Sequence, residues 1–123
     1  MNSNTDIAQA IFKAFVDKDR ASAERLLSQD FRFTSPLDNG LDRKQYFEIC
    51  WPNSATISSF DLKSVAENDN RVFVTYEATS TTGKRFRNTE AITIRDGQIS
   101  AVEVYFGWNV PHAVASGQHR DPS

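Results

Sequence analysis

The chain changes its hydrophobic period once. Up to Cys50 the apolar residues recur at helical spacing, and beyond it they alternate with polar ones. In "DIAQAIFKAFV" Ile7, Ile11, Phe12 and Phe15 share one helical face, with Asp6 and Gln9 reading as a capping box. Asp19 is placed to cap a second helix, Arg20 to Ser28, that buries Ala23, Leu26 and Leu27. "DFRFTSP" is then a short extended piece ended by Pro36 and the turn-rich "PLDNG". Asp42 and Gln45 repeat the capping pattern ahead of "YFEIC", a third helix that stops before Pro52.

The second half reads as four strands, "TISSFDLKSVAE", "RVFVTYEATS", "KRFRNTEAITI" and "QISAVEVYFGW", joined by turns at "NDN", "TTGK" and "RDG". Hairpin connections of this length predict an antiparallel sheet, and three helices followed by a meander predict an α+β domain with the sheet bent around the helices. The last strand is unusual. One of its faces carries Val102, Val104, Phe106 and Trp108, and the other Ile99, Ala101, Glu103 and Tyr105. A strand with one face in water shows one polar face, and this one shows none.

With 123 residues the chain is long enough for one core and not for two. Fourteen basic and sixteen acidic residues leave a net charge of −2, which provides no electrostatic footprint for nucleic acid. Cys50 stands alone, so no intrachain disulfide is expected, and no metal-ligand spacing is present. The start, "MNSNTDIAQA", has no apolar run, so neither a signal peptide nor a membrane span is expected. The expectation is a cytoplasmic domain over residues 1–112 with a flexible tail over 113–123.

The order of these pieces resembles the nuclear transport factor 2-like superfamily, the cone-shaped fold of ketosteroid isomerases, limonene epoxide hydrolases and SnoaL-like polyketide cyclases. The resemblance rests on "AFVDKDRASAERLLSQDFRFTSP" and on the closing "ITIRDGQISAVEVYFGW". It implies a conical, strongly bent antiparallel sheet wrapped around three helices, with a pocket inside and no cofactor. By the strand parity of such relatives, Val102, Val104 and Phe106 face into the cone. The same parity turns Phe73, Thr75 and Glu77 inward from one strand and Phe86, Asn88, Glu90 and Ile92 inward from the next. Ile11, Phe15, Phe33 and Phe47 complete an apolar wall, with Trp51 near the rim. Val72, Val74, Tyr76 and Tyr105 then fall on the convex face, where the resemblance implies a homodimer.

Candidate chemistry follows from the few polar groups in that cone. Glu90 falls near the position where the isomerases keep an oxyanion-stabilising Asp, and an apolar cavity favours a carboxyl's neutral form. Glu77 is a candidate to share its proton, Asp38 to act as a base from the rim, and Asn88 to orient a ligand carbonyl. The alternative for the two glutamates is a place at the mouth, paired with Lys84, Arg85 or Arg87. Departures from the relatives are equally plain. Ser35 stands where the isomerases have their catalytic Asp, and Ile11 or Phe12 where they have a Tyr. Arg71 matches the arginine of the epoxide hydrolases, but Phe73 and Val104 replace both of their carboxylates. His112 and His119 lie in the tail. Two functions therefore stand open. One is a cofactor-independent isomerase, cyclase or hydrolase moving protons on a hydrophobic carbonyl substrate. The other is a non-catalytic pocket or dimeric interaction module that holds a hydrophobic small molecule.

Overall fold

The computed structural model describes residues 3–109, so the tail with His112 and His119 lies outside the described residues. Three helices come first or early: α1 (Asn4–Asp17), α2 (Arg20–Leu26) and α3 (Arg43–Ile49). Strands β1 (Leu27–Thr34) and β2 (Leu41–Asp42) flank the loop before α3, and a 3₁₀ turn (Trp51–Thr56) leads into the meander. That meander is β3 (Ile57–Asn68), β4 (Arg71–Ser80), β5 (Arg85–Arg95) and β6 (Gln98–Phe106).

The helix starts follow local capping chemistry. Ser3, not Asp6, caps α1: its hydroxyl accepts from the Asp6 N–H at 3.1 Å, and the Asp6 carboxylate accepts in return from the Ser3 N–H. Asp19 caps α2 and Asp42 caps α3, the latter in a reciprocal box with Gln45. Helix α2 ends two residues earlier than the periodicity predicts, because Leu27 and Ser28 already belong to β1.

The six strands form one sheet in the order β2-β1-β6-β5-β4-β3. Hairpins make β3 to β6 antiparallel, as expected, but β1 lies parallel to β6. Helix α1 packs across the inner face, where Phe12 meets Phe60 and Tyr76 edge-on with centroids 5.2 and 5.0 Å away. Tyr46 of α3 is wedged among Phe31, Phe33 and Phe47. Burying a side chain such as Phe31 or Ile92, both essentially inaccessible, contributes about 1.5–3 kcal/mol.

Strand β4 corrects the expected parity. Val72, Val74, Tyr76 and Ala78 are buried on the inner face, while Phe73, Thr75 and Glu77 lie half-buried on the outer one. Register is the reason. Val74 sits opposite Glu90, Tyr76 opposite Asn88 and Ala78 opposite Phe86, and directly opposed residues share a face of the sheet. The expected arrangement put the β5 residues inside and their β4 partners outside, which the pairing forbids. Strand β6 keeps the expected parity: Val102 and Val104 are buried inward, and Tyr105 is 52% exposed on the outer face. β6 is followed by Gly107, where an added Cβ would run into the Arg87 carbonyl that accepts from the Gly107 N–H at 2.7 Å.

Candidate functional site

The bent sheet and the helices enclose a cavity of about 320 Å³. Its walls are apolar: Ile11, Phe12 and Phe15 from α1, Phe31 and Phe33 from β1, Phe60 from β3, and Val102, Val104 and Phe106 from β6. Leu37 and the exposed Ile49 also line it. Of charged side chains, only Asp38, Lys84 and Glu90 line it among the described residues. A cavity of this kind binds apolar matter and takes its specificity from a few polar atoms.

Three of the polar side chains meet on β4 and β5. The Tyr76 hydroxyl donates to Glu90 Oε2 at 2.8 Å, and Asn88 Nδ2 donates to the same hydroxyl oxygen at 3.1 Å. All three side chains project from the inner face because Tyr76 pairs with Asn88 and Glu90 lies two residues further along β5. Burial raises the Glu90 carboxyl from its ordinary 4.5 to about 7, against the hydrogen bond from Tyr76, which lowers it. By area Glu90 is only half-buried, and it also lines the cavity, so the carboxyl is desolvated yet reachable. Burial, then the nearby Glu90, also push the Tyr46 and Tyr76 phenols far above their ordinary range. The Cys50 thiol is pushed up to about 12 by burial, then by Asp38 and Glu90. The wall therefore holds a carboxyl raised toward neutral pH, set beside phenols and a thiol that stay protonated there.

The structure brings together most of the expected site. Phe33, Ser35, Asp38, Phe86, Asn88, Glu90, Val104 and Phe106 all line the cavity. Three expected wall residues do not. Phe47 and Trp51 are buried one layer behind it, Trp51 against Phe15 and Phe47 with centroids 5.4 and 5.8 Å away. Phe73 is on the outer face under the Arg71 guanidinium, 5.0 Å from its ring centre. Glu77 is also outside, paired with Arg85 at 3.3 Å and Arg87 at 3.0 Å, so it shares no proton with Glu90. Tyr76, Tyr46 and Cys50 are the site residues that sequence reasoning missed. The burial alternation of β4 carries the signal for Tyr76, since its apolar set is Val72, Val74, Tyr76 and Ala78.

Ser35 is buried and accepts from the Leu37 N–H at 3.1 Å. Its own N–H donates to the Asp38 carbonyl at 2.8 Å, which folds the loop so that Asp38 lines the cavity. No three His, Cys, Asp or Glu side chains cluster to hold a metal among the described residues.

Helices packed on one strongly bent, mostly antiparallel sheet make this the α+β cone fold of the nuclear transport factor 2-like superfamily. Within it, residues 8–102 match the SnoaL-like domain family, and the chain belongs to that family. A comparison with curated proteins gives no match. Among solved structures, a protein from Kribbella flavida DSM 17836 superposes with a TM-score of 0.76 at 18% identity, covering 85% of this chain and 86% of its own. An NTF2-like protein of unknown function from Cytophaga hutchinsonii gives 0.72 at 18% identity, covering 87% and 92%. IdmH, a candidate polyketide cyclase from Streptomyces antibioticus, gives 0.70 at 17% identity, covering 84% and 91%. At these identities the likeness shows the shared fold.

Proposed function

We propose that the protein is a cofactor-independent acid–base catalyst acting on a hydrophobic carbonyl compound, with Glu90 as the group that takes up and returns the proton. The carrying observation is a carboxyl raised to about 7 inside an apolar cavity, because a group that titrates near the working pH moves protons in both directions. Asp38, which lines the same cavity, is the proposed second carboxylate. The SnoaL-like fold and the likeness to a candidate polyketide cyclase support an isomerase or cyclase of this kind. Exchange of α-protons on an enolisable hydrophobic ketone such as 2-tetralone, followed by NMR in D₂O, tests it. The wild type accelerates exchange, and Glu90→Gln lowers the rate by roughly a hundredfold or more. Full exchange activity in the Gln variant rules Glu90 out as the base.

A second reading rests on Ser35, which occupies the isomerases' base position and is held by the loop backbone. On it the cavity only stores a hydrophobic small molecule. Binding of the ketone with no acceleration of exchange by the wild type selects this reading.

The outer face of the sheet is the proposed homodimer surface, with its residues revised by the register of β4. Val72, Val74 and Tyr76 are in the core and leave the interface. Phe73 and the row Thr75–Thr89–Tyr105 take their place. Tyr105→Lys puts a charge at the β6 end of that row, and light scattering should show a dimer in the wild type and a monomer in the variant. A monomeric wild type removes the proposal.

A further inference from the structure

We propose that Asn88 is a positioning residue that acts on Glu90 through the Tyr76 hydroxyl, and does not serve as a ligand donor. The inference deepens the reading of Glu90 as the acid–base group and rests on it. A phenol has a single hydrogen. In Tyr76 that hydrogen goes to Glu90 Oε2 at 2.8 Å, so the contact from Asn88 Nδ2 at 3.1 Å falls on the phenol's oxygen as acceptor. The order is therefore amide to phenol to carboxylate. Each donation polarises the next, so the amide strengthens the bond that Tyr76 gives to the ionised carboxylate. Asn88 is 5% exposed, and its Oδ1 has no hydrogen-bond partner among the described residues. The side chain is used on its donor side alone, and that side faces Tyr76.

The surroundings leave few rivals for this role. Among the described residues, the titratable groups that line the cavity with Glu90 are Tyr76 on β4, Tyr46 on α3, Cys50 after it, Asp38 in the loop after β1, and Lys84 in the loop after β4. Helix α1 and strands β1, β3 and β6 present no titratable side chain to it. Of these groups, Tyr76 makes the hydrogen bond that holds down the proton affinity of Glu90.

A double-mutant cycle on the full chain tests the relay, read by NMR titration of the Glu90 carboxyl. Tyr76→Phe removes the donor to the carboxylate and should raise the Glu90 midpoint by about one pH unit, a tenfold rise in proton affinity. Asn88→Leu, which keeps a similar volume and removes the amide, should raise it by a smaller amount, about 0.3 pH unit. In the Tyr76→Phe background Asn88→Leu should change nothing, because the path through the phenol is gone. Asn88→Ala replaces the leucine variant if circular dichroism shows that the latter is not folded. A midpoint that falls or stays put in the Asn88 variant overturns the proposal, as does an Asn88 effect of unchanged size without the Tyr76 hydroxyl. These readings need no turnover, so loss of the relay is told apart from loss of the catalytic role, which the exchange rate of Glu90→Gln reports separately.

Discussion

Raising the pH from about 4.5 to about 8 should weaken the folded protein by up to about 3 kcal/mol, and Glu90→Gln should abolish that loss. Burial raises the folded-state pKa of Glu90 to about 7 from an ordinary 4.5. Below 4.5 the carboxyl is protonated in both the folded and unfolded chain, and its full contribution is present. Between 4.5 and 7 the folded protein holds a proton that the unfolded chain has released, so stability falls as pH rises. Above 7 both states are ionised and the curve levels off. The gap between the two pKa values, at about 1.4 kcal/mol per pH unit, sets the size. Glu90→Gln stays neutral throughout, so its excess stability over the wild type should appear above neutral pH and vanish in acid. Urea denaturation at a series of pH values measures it. Parallel curves for the two proteins would show that the Glu90 carboxyl is solvated as an ordinary surface group.

The second large effect is Val74→Lys, which should destabilise the fold by about 3–5 kcal/mol, a large share of the 5–15 kcal/mol of a typical domain. Val74 has no accessible surface and sits opposite Glu90 on the inner face. A lysine there must bury its ammonium, at a desolvation cost that even pairing with the Glu90 carboxylate offsets only in part, or give up its proton, and either is unfavourable. Thr75→Lys, one residue along the same strand, points to the outer face, where it gives up the Thr75–Thr89 hydroxyl contact of 2.8 Å and a place in the proposed dimer row, and should change the stability of the monomer by only about 1 kcal/mol. Melting temperatures of the pair decide it. A stable Val74→Lys beside an unstable Thr75→Lys would mean that the register of β4 is shifted by one residue.

Those two residues also mark how far the sequence could be read. The helices were legible because their signals are local: Asp19 and Asp42 act within one turn of their own positions, and the apolar spacing of α1 names its buried face. Strands β3 to β6 were legible from alternation and turns, and the resemblance to relatives supplied the inward parity of β5 and β6. The position of Glu90 in the wall could thus be inferred before its surroundings were known. The strand parity of relatives turns β4 the wrong way, although its own alternation points the right way. One residue of slack in a hairpin reverses every side chain of the strand. That reversal removed Glu77 and Phe73 from the site and brought Tyr76 into it.

What the sequence determined by itself is the three helices, the extended piece between the second and the third, and the four strands of the meander, their order and the apolar faces they must bury, because these depend on spacings within one or two turns of chain. The tertiary structure decided the rest. It set β1 parallel to β6, held Phe47 and Trp51 one layer behind the wall, and lined Tyr76, Asn88 and Glu90 into one hydrogen-bonded row. The proton affinity of Glu90 is likewise a property of the assembled cavity. It comes from the removal of water by side chains drawn from α1, α3, β1, β4 and β6, and no single stretch of sequence contains that information.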